Sequence, residues 1–175
     1  EKIAELNQLI KKYIHFKPYI RQELDEKVRE LKRFNRVLGI HVRGTDMYTA
    51  GKQHPVPTGE TKDFTKIDAI LREHLDGIFL CTDTESTVEL FREKYGDRLI
   101  YTDALRQSDD SRTGIHVDKT LGENRKNHKY LLGKEVLTDM YLLAHCNVLL
   151  CGPSNVGFVA MIYNCNEYDK IYYCI

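Results

Sequence analysis

The chain has 175 residues, enough for one domain with a substantial core, and its 26 Lys and Arg residues balance 26 Asp and Glu for zero net charge. That balance argues against a general nucleic-acid or anionic-membrane binder, which would need a dominant basic field. No apolar run approaches the roughly 20 residues of a membrane span, and the N-terminus reads as a charged helix rather than a secretion signal, so a soluble, cytoplasmic protein is expected.

Residues 2–14 and 18–34 read as two helices parted at Pro18, a residue favoured in a first helical turn. In the second, Ile20, Leu24, Val28 and Leu31 recur at helical spacing, with charges on the other faces. The run from Val37 to Val42 is an apolar strand that passes directly into His41-Val42-Arg43-Gly44-Thr45-Asp46. A loop to about Asp63 follows. Ile67, Ile70, Leu71 and Leu75 then form the buried stripe of a helix beginning near Thr65 and ending at Gly77. Ile78 to Cys81 is a second short strand. Thr82-Asp83-Thr84-Glu85 has the spacing of a capping box, and Val88, Leu90, Phe91 and Tyr95 continue a helix to Gly96. A third strand spans Arg98 to Tyr101. This β-α-β-α-β order predicts an α/β fold with a mostly parallel sheet and helices on both faces.

Residues 102–132 break the rhythm with a long polar segment, either a solvated flap or a clamp over a ligand. Helix 133–146 follows, with Val136, Leu137, Met140, Leu143 and Ala144 on its apolar face, then strand Asn147 to Cys151. The turn Gly152-Pro153-Ser154-Asn155 opens a helix from Val156 to Tyr163, and a strand from Lys170 to Cys174 closes the chain. The five cysteines are scattered through apolar segments as small hydrophobes. Cys146, Cys151 and His145 lack zinc-ligand spacing, and no metal is expected.

Three constellations could carry chemistry. Ligands of open α/β sheets bind outside the carboxyl ends of the strands, where His41 and Arg43 fall, two apart and so on one face. Arg43 can offer its planar fork to a phosphate, or pair with an Asp beside the turn at Gly44. The turn at Ser154 and Asn155 presents free N–H groups, a hydroxyl and an amide to a diphosphate, or simply caps its helix. Asp139 can accept the two adjacent N–H donors on the edge of a guanine, which adenine lacks, or stand as an exposed helix charge. Asp83 has the same ambiguity at its strand end, since capping explains it without any ligand.

Taken together, His41-Val42-Arg43-Gly44-Thr45-Asp46, Phe79-Leu80-Cys81-Thr82-Asp83-Thr84-Glu85, and Leu137 to Leu142 with Pro153-Ser154-Asn155 resemble the ordered motifs of GDP-fucose-dependent fucosyltransferases. The likeness is to core α-1,6 enzymes and rhizobial nodulation-factor enzymes, and more distantly to protein O-fucosyltransferases. It implies a two-domain, GT-B-like glycosyltransferase whose C-terminal, Rossmann-like half holds the donor. Residues 1–36 would be a helical lead-in and 37–175 the nucleotide-sugar domain, with an N-terminal acceptor domain or a second copy of the chain as partner.

By that resemblance GDP-fucose is the donor, a saccharide such as a bacterial surface polysaccharide is the acceptor, and no metal is required. His41 and Asp139 would contact the guanine, Arg43 would grip the β-phosphate, and Ser154 with Asn155 would hold the diphosphate from the other side. Transfer would invert the anomeric centre. Two departures stand out. The family commonly has a second Arg where this chain has Gly44, and Met47 to Gln53 lacks the carboxylate that serves as a candidate base in the α-1,6 enzymes, leaving Asp46 as the nearest substitute. A domain that binds GDP or a nucleotide sugar without catalysis is the alternative.

Overall fold

The computed structural model describes residues 2–44, 59–108, 115, 119–123, 125–165 and 167–174. Helices α1 (Lys2–Tyr13) and α2 (Pro18–Leu31) lead into β1 (Val37–Val42). Next come α3 (Phe64–Leu71), β2 (Gly77–Thr82), α4 (Glu85–Tyr95) and the short β3 (Leu99–Ile100). A four-residue turn of helix, α5 (Lys119–Gly122), precedes α6 (His128–Leu143), β4 (Val148–Cys151), α7 (Asn155–Asn164) and β5 (Lys170–Tyr173). The strands form one sheet in the order β3-β2-β1-β4-β5, every pairing parallel, as in a Rossmann-like domain. Strand order reverses at β1, so its carboxyl end and that of β4 flank the crevice where such sheets take ligands.

The central strands are buried on both faces, which is why they read as continuous apolar runs rather than alternating ones. Their side chains still alternate. Leu38, Ile40, Val42, Ile78, Leu80 and Leu150 pack with Ile67, Leu71, Val88 and Phe91 of α3 and α4. Val37, Phe79, Cys81, Leu149 and Cys151 pack instead with Leu24 of α2, Met140 and Leu143 of α6, and Ala160 of α7. Each Val, Leu, Ile, Phe or Met side chain among them, fully buried, contributes roughly 1.5 to 3 kcal/mol. A Cβ at Gly39 would sit 3.0 Å from the Cys146 sulfur and 3.2 Å from Leu143, so α6 lies directly against β1. That close approach aims the α6 face towards the same side of β1 that carries His41.

Several expected boundaries move. The second helix stops at Leu31, three residues early, and Phe34 tucks beneath Gly77, where a Cβ would meet its ring at 2.3 Å. The third stops at Leu71 rather than Gly77, because Asp76 accepts the N–H groups of Asn35 and Arg36 and fixes a turn there. Those donors push the Asp76 carboxyl down to about 2. The N-cap of α3 is Asp63, whose carboxylate accepts from Thr65 and Lys66, so Thr65 lies inside the helix. The capping box at Thr82–Glu85 does not form: β2 runs through Thr82, and Thr84 stands at the N-cap. The Glu85 N–H is satisfied by the Gln107 carbonyl, and the Thr84 hydroxyl shares a 2.6 Å hydrogen bond with Thr87.

The helix α6 begins five residues earlier than predicted, so residues 128–132 leave the polar segment. Val136 and Leu90, expected on apolar faces, are exposed. All five cysteines are free thiols, four of them buried. Among the described residues no helix is long and apolar enough to cross a membrane, and no cluster of His, Cys, Asp and Glu could hold a metal ion.

Candidate functional site

One cavity of about 140 Å³ opens at the carboxyl ends of β1 and β2. His41, Arg43, Asp83 and Asp139 all line it, together with Cys81, Thr82, Glu135 and Val156. Its other wall is apolar: Ala104, Leu105, Ile115, Leu132 and Val136. Val136 is 53% exposed because it faces this opening rather than the core. Apolar lining residues together with a few polar groups are the form of a small-molecule site.

His41 is only 4% exposed, and its Nδ1 atom has no hydrogen-bond partner among the described residues. Burial first, and the Arg43 charge second, hold its pKa down to about 4, so the ring is neutral at physiological pH. A neutral imidazole keeps one donor and one acceptor nitrogen, and an unmet buried one is open to a ligand.

Asp139 is 7% exposed, which rules out the solvated helix charge. It accepts the Thr102 hydroxyl at 2.7 Å. Desolvation dominates and raises its pKa to about 6, with Thr102, Arg106 and Cys81 pulling the other way. The group is poised to ionise fully when donors reach it. Thr102 and Arg106 lie in the segment after β3 that the sequence leaves as a polar loop. There Arg106 donates to the carbonyls of Thr102 (2.6 Å) and Ala104 (3.1 Å), shaping the chain behind Asp139. A single polar Thr carries no periodic signal, so its role is invisible before folding.

Arg43 follows β1 directly. Its Nη1 lies 3.6 Å from Asp83 Oδ2, and its side chain keeps 34% of its surface exposed. Asp83 also accepts the Gly44 N–H at 2.8 Å through Oδ1. The corner is crowded at Gly44: a Cβ would come within 2.5 Å of Thr84 Cγ2 and 2.6 Å of Asp83 Oδ1, so either side chain would have to shift. Asp83 is therefore a partner of the Arg43-Gly44 corner and not a helix cap.

Ser154 and Asn155 stand outside the cavity wall. Ser154 is the N-cap of α7, its hydroxyl accepting the Val156 N–H at 3.2 Å, while Asn155 is exposed. The turn follows β4, whose Cys151 pairs with His41 of β1, and Val156 in the first turn of α7 lines the same cavity as Arg43. Gly157 lets α7 approach so closely that a Cβ would lie 3.2 Å from Cys151. Asp46 falls outside the described residues.

The model of the Nodulation protein Z (NodZ) family matches residues 3–164. Among solved structures, the chain is similar to NodZ alpha-1,6-fucosyltransferase co-crystallised with GDP, at 19% identity and a TM-score of 0.56, over 90% of this chain and 44% of that one. Fucosyltransferase NodZ from Bradyrhizobium matches at 19% and 0.54, covering 89% and 44%. An Arabidopsis thaliana FUT1 mutant in complex with GDP matches at 14% and 0.56, covering 98% and 36%. The chain thus spans less than half the length of these proteins, and the likeness establishes the shared fold. No curated protein matches it in sequence.

Proposed function

The chain belongs to the nodulation protein Z family, and on that premise we propose that it binds GDP-fucose and moves L-fucose to a glycan hydroxyl, inverting the anomeric centre without a metal ion. The observation that carries this reading is the convergence of His41, Arg43, Asp83 and Asp139 on one cavity beside the α7 N-terminus.

In this reading the guanine lies against Leu105, Leu132 and Val136, its ring N–H and amino group donating to Asp139. His41 meets the same base or its ribose with the nitrogen that burial leaves unpaired. Arg43 grips the β-phosphate, and the N–H groups after Ser154, with the Asn155 amide, hold the diphosphate from the α7 side. As the bond to the sugar breaks, negative charge grows on the diphosphate and is met by a fixed guanidinium and fixed N–H dipoles. That donor set supplies the neutralisation for which other transferases use a metal; each such donor is worth about 3 to 4 kcal/mol in the transition state. Asp46, next to the same corner in sequence, is the candidate general base, the alternative role being to orient Arg43. An additional domain or a second copy of the chain completes the acceptor cleft, and the site of action is the bacterial cytoplasm.

Support comes from two likenesses: NodZ structures have been obtained with GDP and soaked with GDP-fucose, and both resemble this chain over most of its length. Titration calorimetry with GDP, ADP and UDP tests the reading. Binding that prefers GDP and is lost in Arg43→Ala supports it, whereas equal affinity for all three nucleotides contradicts it.

A further inference from the structure

A buried cation lies behind the cavity, and the fucosyl-transfer reading above gives it no task. Arg106 leaves only 5% of its side chain exposed. Its Nη2 donates to the Thr102 carbonyl at 2.6 Å and its Nη1 to the Ala104 carbonyl at 3.1 Å. Its Nε is buried without a hydrogen-bond partner among the described residues. The carboxylate paired with it, Glu85, stands 4.0 Å away and is 51% exposed. A guanidinium held out of water with so distant a counter-ion is costly to keep.

Thr102 is the residue that Arg106 and Asp139 share. Its carbonyl accepts from Arg106 and its hydroxyl donates to Asp139 at 2.7 Å, so one residue is bonded to two buried groups of opposite charge. Resting on the GDP reading above, we propose that Arg106 is a positioning residue for base recognition, supplying the positive charge against which Asp139 ionises to accept the two guanine donors. In a poorly polarisable interior such a charge acts beyond hydrogen-bond range.

The other charged groups around Asp139 do not supply this charge. Arg43 of β1 faces Asp83 and, in this reading, the diphosphate; Arg125 is tied to Glu135; His41 is neutral above about pH 4. Glu135, one helical turn earlier on α6, opposes ionisation of Asp139, and Asp83 of β2 adds a second negative charge to the cavity. The Cys81 thiol of β2, pushed up by burial, stays protonated. Arg106 acts the other way and favours the carboxylate.

GDP affinity between pH 5 and 8.5 separates a charge from a prop. Calorimetry is run on the 175-residue chain and three variants, with thermal melts to confirm folding. With Asp139 titrating at about 6, the parent should lose about twofold in affinity between pH 8.5 and pH 6. Arg106→Gln removes the charge but keeps N–H donors for the carbonyls, and Arg106→Met removes both. Each is expected to lose about tenfold over that interval, its midpoint moving up by about one pH unit. Arg106→Lys keeps the charge and should follow the parent. A side chain that only shapes the loop would weaken binding equally at every pH. The inference falls, and the GDP reading stands, if a parent that prefers GDP shows no fall at low pH, if both neutral variants keep its midpoint, or if Arg106→Lys shifts as far as they do. A parent that binds GDP, ADP and UDP alike overturns the GDP reading and this inference with it.

Discussion

Thr102 donates its hydroxyl to Asp139 across 2.7 Å, joining the segment after β3 to the part of α6 that lines the cavity. The bond stabilises the charged carboxylate, yet burial still raises its pKa to about 6. Asp139 is therefore retained at a cost to folding, which is the pattern of a group held for a ligand.

Asp139→Asn tests that cost. The folded-state pKa lies above the usual 3.8, so the carboxyl favours folding below about pH 4 and loses that advantage as pH rises through 6. At pH 8 the parent bears the full penalty of about 3 kcal/mol. An amide removes it, so denaturant melts at pH 8 should find the variant more stable by about 1 to 3 kcal/mol, with the gap narrowing below pH 6 and closing near pH 4. A less stable variant at pH 8 would contradict the assignment.

Nucleotide affinity should follow the same group. Two guanine donors need an ionised acceptor, so GDP affinity should rise as pH increases through 6 and flatten above 7. His41 stays neutral through that range, since its pKa is held near 4, and does not contribute the change. In Asp139→Asn the pH dependence between 5 and 7 should vanish along with the preference for GDP over ADP. Calorimetry at five pH values reads both.

The succession of strands and helices along the chain and the parallel sense of the sheet were legible in the sequence, because buried parallel strands leave unbroken apolar runs, whereas the order β3-β2-β1-β4-β5 across the sheet was not. The pairing of Asp83 with the Gly44 N–H was not legible. It joins residues 39 apart, and the same Thr82-Asp83-Thr84-Glu85 string satisfies the local rule for a capping box. Local capping lost because β2 extends through Thr82 and Gln107 supplies the acceptor that Glu85 needs. Ser154 behaved as its local chemistry predicts, as an N-cap. The exposure of Val136 escaped periodicity because a helix lining a pocket shows the same apolar spacing as one facing a core.

Gly44→Arg restores the second arginine common in the resembled fucosyltransferases, and it should harm this chain. The Cβ alone would meet Thr84 at 2.5 Å and Asp83 at 2.6 Å. Overpacking of this kind costs roughly 1 to 3 kcal/mol, and displacement of Asp83 should weaken GDP binding as well. Thermal melts of Gly44→Arg and Gly44→Ala that match the parent would refute the crowding.

Arg43→Ala should weaken GDP by about 1.5 to 3 kcal/mol, the worth of a hydrogen bond to a charged group, while guanosine binding stays unchanged. Equal losses for both ligands would mean that Arg43 acts through the fold rather than through the diphosphate.

A crystal structure of the chain soaked with GDP tests the central claim most directly. The account predicts one nucleotide with its guanine edge on Asp139 and its diphosphate between Arg43 and the N–H groups after Ser154. Guanine elsewhere, or a diphosphate that touches Arg43 while the α7 turn remains remote from it, would contradict the account.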